Sequence, residues 1–446
     1  MANAFDHHPS YVGTTKVFVE SPRYPLQEIS LITAQVSIFE NIMLPYITAQ
    51  LVIIDSANAS NAVHFQGQER VIIAILDKNE NVIFNKEFIC MGVEGGQKLG
   101  DDKSGFIVKL IEEHAMLSNI TRFSKVYEGK PDAICNTVCS EQLGVSVSVE
   151  GGTIQNNMRV VFPYTVSPLE AATWMASRCT NGNGHPFMFY SKLDQDSLQL
   201  ADVNILLGQG AFNAGDPYIF SSNSLSDPLG TEDIAVLNKK ILNYTINNNE
   251  DTLLAMARNV YGEQMVWIDT FENSATEVTY DFTEPFDALA KPNGATVYNY
   301  DPAFTVGRPF HKGQTEFNSQ ITTWKLFDDG IYSYSEEQDS EKQKKKAESR
   351  GIYNFLDQQP INFTVNGVDL GFDKLGKCVD VYMTKDIPAE NNSSASSESM
   401  KDKKRSGVYL IQKVMYTIFD NRLTSTITGT KTSTLGALGG EKLNTA

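Results

Sequence analysis

The sequence is short of positive charge, of cysteine and of uninterrupted apolar stretches, and each shortage argues against a class of protein. Its 37 Lys and Arg face 54 Asp and Glu, which leaves a net charge of −17. A surface that clamps phosphates needs the opposite balance, because such binding rests on neutralising them with Lys and Arg; a channel that repels nucleic acid remains compatible with the charge. Five cysteines, odd in number and irregularly spaced, argue against a disulfide framework and point to a reducing compartment. Cys135 and Cys139 stand one helical turn apart with no second Cys or His pair nearby, which is the pattern of core filling rather than metal ligation. No window reaches the roughly 18 consecutive apolar residues of a membrane span, so membrane insertion is not expected. The opening MANAFDHHPSYVG has no basic region followed by an apolar run, so no secretory signal is expected; residues 1–13 read as a flexible leader and His7-His8 as incidental.

Catalytic signatures are missing as well. There is no G-x-S-x-G elbow, no phosphate loop of the G-x-x-x-x-G-K-[ST] type, no H-E-x-x-H helix and no dinucleotide fingerprint, and Gly208-Gln209-Gly210 is only a turn. Asp101-Asp102, Glu112-Glu113 and Glu336-Glu337 are the adjacent carboxylates a glycosidase would draw on. Neighbouring residues of a strand point to opposite faces, and the first and third pairs lie in polar segments, so all three read as solvated surface. His64, His114, His185 and His311 share no motif and read as core or surface histidines. No catalytic, cofactor-binding or metal-ligating residue is assigned.

What the chain has is β structure. At 446 residues, 41% hydrophobic and 20% charged, it has a globular composition and the length of roughly two to four domains. Leu26 to Ser56, LQEISLITAQVSIFENIMLPYITAQLVIIDS, holds two strand-like runs. Ile29 and Leu31 alternate in one phase and Ala34, Val36 and Ile38 in the other, which predicts a bulge near Ile32-Thr33. The second run is apolar on one face through Ile47, Ala49, Leu51 and Ile53 and again on the other through Val52 and Ile54, so its far half should be covered on both sides. The connection puts Ile42, Met43 and Leu44 where turns usually carry Gly, Asn or Asp, and a monomer is expected to leave that tip wet. Ile42, Met43, Leu44, Val52 and Ile54 are therefore the candidate subunit-interface residues, in line with apolar surface in excess of the chain's own needs.

Further strands are expected at Val71 to Leu76, Val82 to Met91 and Gly105 to Leu117, which completes an all-β unit near residue 116. The middle of the chain reads as α+β. Pro131 to Leu143 is a helix, and Ser167 to Thr180 a stronger one, with Ser167 at the N-cap, Pro168 at N1 and Glu170 closing a capping box. Pro186 to Tyr190 and Ser197 to Leu200 read as a hairpin. Beyond Thr231, a strand is expected at Ile241 to Ile246, a helix from Glu250 to Val260 capped by Asn249, and paired strands at Met265 to Phe271 and Ala275 to Phe282. Residues 283–316 read as ordered loop. Ser335-x-x-Gln338 has capping-box spacing and would open a charged helix to about Phe355, with the Lys344-Lys345-Lys346 run on a solvated face and Glu341 four residues before Lys345. Strands return at Ile361 to Leu370, Lys377 to Thr384, Ser406 to Tyr416 and Arg422 to Gly429, interrupted by residues 389–405, a Ser-rich mobile loop. Gly67-x-x-x-Val71 with Lys103-Ser104-Gly105-Phe106-Ile107-Val108 has a weak counterpart in Gly376-x-x-Val379 with Arg405-Ser406-Gly407-Val408-Tyr409-Leu410, a hint of two related barrels.

SIFENIMLPYITAQLVIIDS, GQERVIIAIL, VVFPYTVSPLEAATWMASRC and SGVYLIQKVMYTIFDNRLTSTITGT together resemble the central baseplate hub proteins of contractile T4-like phage tails, an architecture shared with type VI secretion spike proteins. The resemblance spans residues 14–431 and is weakest over 265–345 and the Ser-rich loop. It implies a mainly β chain with α+β parts: two small antiparallel β-barrels plus two additional α/β domains. The first barrel would be 14–116, followed by an α+β domain at 117–225. The second barrel would be 226–262 with 356–431, interrupted by an inserted domain at 263–355, and 432–446 would be a flexible tail. It further implies a homotrimeric ring, without cofactors, that adapts a sixfold tail tube to a threefold spike. DNA would pass through without specific binding. Its partners would be the central spike, the tail tube protein, baseplate wedge components and a tape-measure protein, in a virion tail baseplate assembled in the host cytoplasm. The competing expectation is a carbohydrate-active hydrolase or a glycan-binding tail protein, for which Tyr298, Tyr300 and Phe304 would supply the aromatics.

Overall fold

The computed structural model describes residues 11–55, 65–77, 79–98, 104–220, 238–246, 258, 260, 262–269, 273–281, 283–294, 322–326, 333–335, 340–357, 360–385 and 401–435. The expected helix at 250–260, the aromatics Tyr298, Tyr300 and Phe304, His64, His311, Asp101-Asp102, Glu336-Glu337 and most of the 389–405 loop lie outside the described residues.

The first part of the chain is antiparallel: β1 (Thr14–Ser21), β2 (Tyr24–Glu28), β3 (Thr33–Asn41), β4 (Thr48–Asp55), β5 (Arg70–Leu76), β6 (Val82–Lys98) and β7 (Ser104–Ile111). β4 and β5 alternate as half-buried strands should: Ala49, Leu51 and Ile53 are buried on β4, and Val71, Ile73 and Ile75 on β5. The alternation predicted from Ile29 to Leu31 is broken by a 3-10 turn, Ser30–Ile32, which buries Ile29 and leaves Leu31 fully exposed. The expected bulge falls one step later, between Thr33 and Gln35. The strand expected over Gly105 to Leu117 stops at Ile111, and a helix, α1 (Glu113–Ile120), follows.

The middle part is α+β. β8 (Lys125–Gly129), α2 (Pro131–Leu143), β9 (Val147–Glu150), β10 (Met158–Phe162), α3 (Pro168–Ala176), β11 (Phe187–Tyr190) and β12 (Leu198–Asp202) enclose their own core around Phe162, Cys135, Cys139 and Met175. The capping box at Ser167 and Glu170 is formed, and the β11–β12 hairpin is paired as expected. All five cysteines are free and buried. α4 (Val203–Gly208) and β13 (Tyr218–Phe220) lead out of this part, and β13 pairs in parallel with a strand near the C-terminus.

Next come β14 (Ile241–Ile246), the paired β15 (Gly262–Asp269) and β16 (Ser274–Asp281), α5 (Thr283–Asp287), β17 (Thr322–Leu326), β18 (Ser333–Ser335) and α6 (Ser340–Leu356). Ser335 does not cap α6, because it sits in β18, opposite Met158 of β10. The lysine run is not a solvated face either. Lys344 and Lys345 are mostly covered and lie 3.9 and 2.8 Å from Glu348, which is fully buried.

The chain ends in β19 (Ile361–Asn366), α7 (Gly367–Leu370), β20 (Cys378–Met383), β21 (Gly407–Phe419) and β22 (Arg422–Thr430). The expectation of a mainly β chain with α+β parts therefore holds. The first and last β units are, however, parts of one 13-stranded sheet in the order β14-β19-β22-β21-β3-β4-β7-β6-β5-β1-β2, with β20 on β21 and β13 on β20. β21 is the link. Its first residues pair with β20 (Leu410 opposite Cys378), and after a register shift at Gln412 its remainder pairs with β3 (Lys413 opposite Asn41 through Phe419 opposite Gln35). By taking that edge of β3, β21 occupies the position from which β1 would close the first unit. One apolar core runs beneath both units, from Val17 to Ile427.

Candidate assembly surface

The 41–46 connection is held by groups distant in sequence. Asn41 forms the turn, accepting the Met43 amide on its side chain at 3.0 Å and the Leu44 amide on its carbonyl at 3.0 Å. The Ile42 amide donates to Gln412 O at 2.9 Å, at the point where β21 changes partner. Leu44 O accepts from the Ser191 amide at 3.3 Å, and Pro45 O accepts from His114 Nε2 at 2.8 Å. Glu112, read from sequence as solvated, is 5% exposed and anchors the far side of the connection. Its carboxylate accepts from the Ile47 amide at 2.7 Å and from Ser191 Oγ at 3.1 Å, and pairs with Lys86 Nζ at 3.1 Å. A buried carboxylate with this set of partners is stable; alone it would not be. Glu113, its neighbour, is exposed.

These contacts separate the candidate interface residues into two groups. Ile42 is completely buried within the single chain and Met43 packs against the same core, so an isolated chain does not leave the tip wet. Only Leu44, 38% exposed, faces outward there. Val52 and Ile54 lie toward the other end of the β3–β4 hairpin, roughly 20 Å or more away at about 3.3 Å per residue. Val52 is half-buried and Ile54 is 36% exposed. Ile54 lines a cleft of about 530 Å³ at the open seam between β1 and β3, together with Leu31, expected from sequence to be a strand residue, and Phe419, which sequence reasoning did not single out. Phe419 is 59% exposed at the tip of the β21–β22 hairpin, whose turn residues Asp420 and Asn421 both have positive φ.

Between these two ends lies an extended face turned away from the core. Register places Asn362 and Thr364 of β19 beside Thr428 and Thr426 of β22, then Met415 and Thr417 of β21 beside Phe39 and Ser37 of β3, then Thr48 and Gln50 of β4. Side chains join across strands, where Thr428 Oγ1 donates to Asn362 Oδ1 at 2.7 Å and the Thr364 and Thr426 hydroxyls lie 3.0 Å apart, and along β3, where Gln35 Nε2 donates to Ser37 Oγ at 3.0 Å. None of the core-averted residues of these five strands is acidic, although the chain carries a net charge of −17. Lys413 and Arg422 are the cations among them. Amphipathic alternation of each strand was legible in the sequence; their alignment into one hydroxyl-rich and amide-rich face depended on the β3–β21 pairing and was not.

Directly behind this face, on the core side of β3, Glu40 is 2% exposed. Its Oε1 accepts from the Leu193 amide at 2.8 Å, while Oε2 has no hydrogen-bond partner. Burial pushes its carboxyl up to about 8, and Asp194 adds to the shift, against the opposing influence of the Leu193 amide, Tyr416 and Lys192. His185 is held below its ordinary range by burial; its Nδ1 accepts from Asn181, and its Nε2 donates to Pro285 O at 2.9 Å, tying α5 to the middle part. Among the described residues no three His, Cys, Asp or Glu side chains converge as a metal site would require.

No protein-family model matches the sequence, and no curated protein matches it. The fold is similar to that of solved tail proteins along nearly the whole chain. The 43 kDa tail protein of prophage MuSo2 from Shewanella oneidensis superimposes with a TM-score of 0.53 at 8% identity, covering 94% of this chain and 98% of that one. The tail protein from Neisseria meningitidis MC58 does so with a TM-score of 0.51 at 10% identity, covering 94% and 96%.

Proposed function

We propose that this chain is a structural component of a phage tail baseplate, the central hub, in which three copies form a ring that adapts a sixfold tail tube to a threefold spike and lets DNA pass. The observation that carries this reading is the fusion of two β units side by side in one sheet through β3 and β21, with a shared face free of acidic side chains. Three such chains supply six units, which is the arithmetic a threefold-to-sixfold adaptor needs. DNA carries one charge per about 1.7 Å of axis, so a wall rich in Lys and Arg would hold it and a wall rich in carboxylates would repel it. Threonine, asparagine and glutamine do neither, which suits passage without binding. The tail-protein fold of the two solved structures supports the setting, with the spike, the tube, wedge components and the tape-measure protein as partners in the virion, after assembly in the host cytoplasm.

Light scattering on the purified 49.4 kDa chain tests the ring. A threefold mass that dissociates on dilution is the expected result, accompanied by rings in negative-stain images. A monomer that persists at high protein concentration would sink the proposal.

A further inference from the structure

His185 is completely buried where the middle part meets α5 and α6, and its neighbours dictate which ring nitrogen carries the proton. Asn181 sets the pattern. Its Oδ1 accepts the amides of Asn183 at 2.9 Å and His185 at 3.0 Å, so its Nδ2 is the atom turned toward Asp202 Oδ2, at 2.7 Å, and His185 Nδ1, at 3.1 Å. An amide nitrogen only donates, which makes Nδ1 an acceptor and leaves the ring proton on Nε2 for Pro285 O at 2.9 Å. A second ring proton would set two donors face to face, and the Asn181 amide can turn round only by giving up both backbone amides of the turn. Of the charged groups about the ring, Asp202 favours a positive charge and also accepts the Asn204 amide at 2.8 Å. Lys345 of α6 opposes it and pairs with Glu348, which lies against Gly184, while Glu284 of α5 faces Lys344 at 3.4 Å. The chain just after α5 has one further hold on the middle part, the Ala290 amide on Asn204 Oδ1 at 2.8 Å.

We propose that His185 is an acid-released latch on α5. Protonation at Nδ1 expels the ring from Asn181, the bond to Pro285 O is lost, and α5 opens about the remaining anchor at Ala290. The opening uncovers Phe286, which is 2% exposed and packs on Phe355 of α6 with ring centroids 5.0 Å apart. Burial holds the closed ring below its ordinary 6.5, whereas the released ring faces water and titrates there. The latch is therefore fully held above pH 6.5 and weakens as the pH falls. Because only the released ring takes the proton readily, lowering the pH from 7.5 to 5.0 raises the open fraction by up to about thirtyfold. This device is independent of the ring proposal, whose failure would leave it intact.

Hydrogen–deuterium exchange of the intact chain at pH 7.5 and 5.0, corrected for the intrinsic rate at each pH, tests it. The amides of the 181–185 turn and of 284–289 should exchange about ten- to thirtyfold faster at pH 5.0, with α3 and β12 unchanged. His185→Gln keeps a side-chain amide to donate to Pro285 O and has nothing to protonate, so its exchange should be the same at both pH values. Nitrogen-15 spectra of the parent at pH 7.5 should show the His185 ring protonated at Nε2, a check that needs no variant. Unchanged exchange in the parent, acceleration spread evenly into α3 and β12, the same local acceleration in a folded His185→Gln chain, or a ring protonated at Nδ1 would each overturn the proposal.

Discussion

Glu40→Gln should make the protein more stable at alkaline pH while changing little in acid. Glu40 is buried beside the β3–β21 ladder, and its carboxyl is raised from an ordinary 4.5 to about 8, first by burial. A carboxyl raised in the folded state holds its proton more tightly there than in the unfolded chain. The stability this contributes is fully present below pH about 4.5, is lost progressively as pH rises, and is gone above about 8. At about 1.4 kcal/mol per unit, the span corresponds to several kcal/mol, on the order of 5 at most. Gln keeps the shape and the oxygen that accepts the Leu193 amide at 2.8 Å, and it carries no charge. Urea midpoints followed by circular dichroism at pH 5 and pH 8.5 separate the cases, provided the slope of each transition is unchanged. The variant should match the parent at pH 5 and exceed it by roughly 2–5 kcal/mol at pH 8.5. Parallel pH profiles for the two proteins, or a variant weaker than the parent at pH 8.5, would show that Glu40 is ionised in the fold at little cost and that the reasoning is wrong.

Ile42→Ala removes a completely buried side chain where β21 changes partner, and should cost about 2–5 kcal/mol in urea denaturation; a loss under 1 kcal/mol would place this residue outside the core. Gly184→Ala should cost at least about 1–2 kcal/mol, because Gly184 has a φ of +79° and a new Cβ there would collide with a Glu348 carboxylate oxygen. A melting temperature unchanged from the parent would mean that the 181–185 turn and α6 can part freely.

What the sequence disclosed followed the range of the interaction that decides each feature. The capping box of α3 was legible because Ser167, Pro168 and Glu170 act on each other within one turn. The β15–β16 pair and the β11–β12 hairpin were legible for a related reason: alternation and a short connection specify both. Glu112 was misread since its partners Ile47, Lys86 and Ser191 are far along the chain, and nothing near it distinguishes a buried carboxylate from a solvated one. The greasy tip was misread in one respect. Its apolar residues were noticed correctly as unusual for a turn, but Ile42, whose amide donates to Gln412 O, is buried within the chain itself and is not left wet. The lysine run of α6 looked like a solvated face because nothing in the sequence distinguishes the acid that draws it inward, Glu348, from the other glutamate of the helix, Glu341, and only tertiary packing singles it out.

The exchange of partners by β21 has a mechanical consequence. A strand continuous through two β units leaves no linker between them, so neither can turn relative to the other without shearing the seven residue pairs from Lys413–Asn41 to Phe419–Gln35 at once. Those bonds lie side by side along the strand and share a sliding load, which is the stiff direction of a sheet. Within one chain the two units behave as a single plank, and in the proposed ring any movement has to occur at the boundaries between planks.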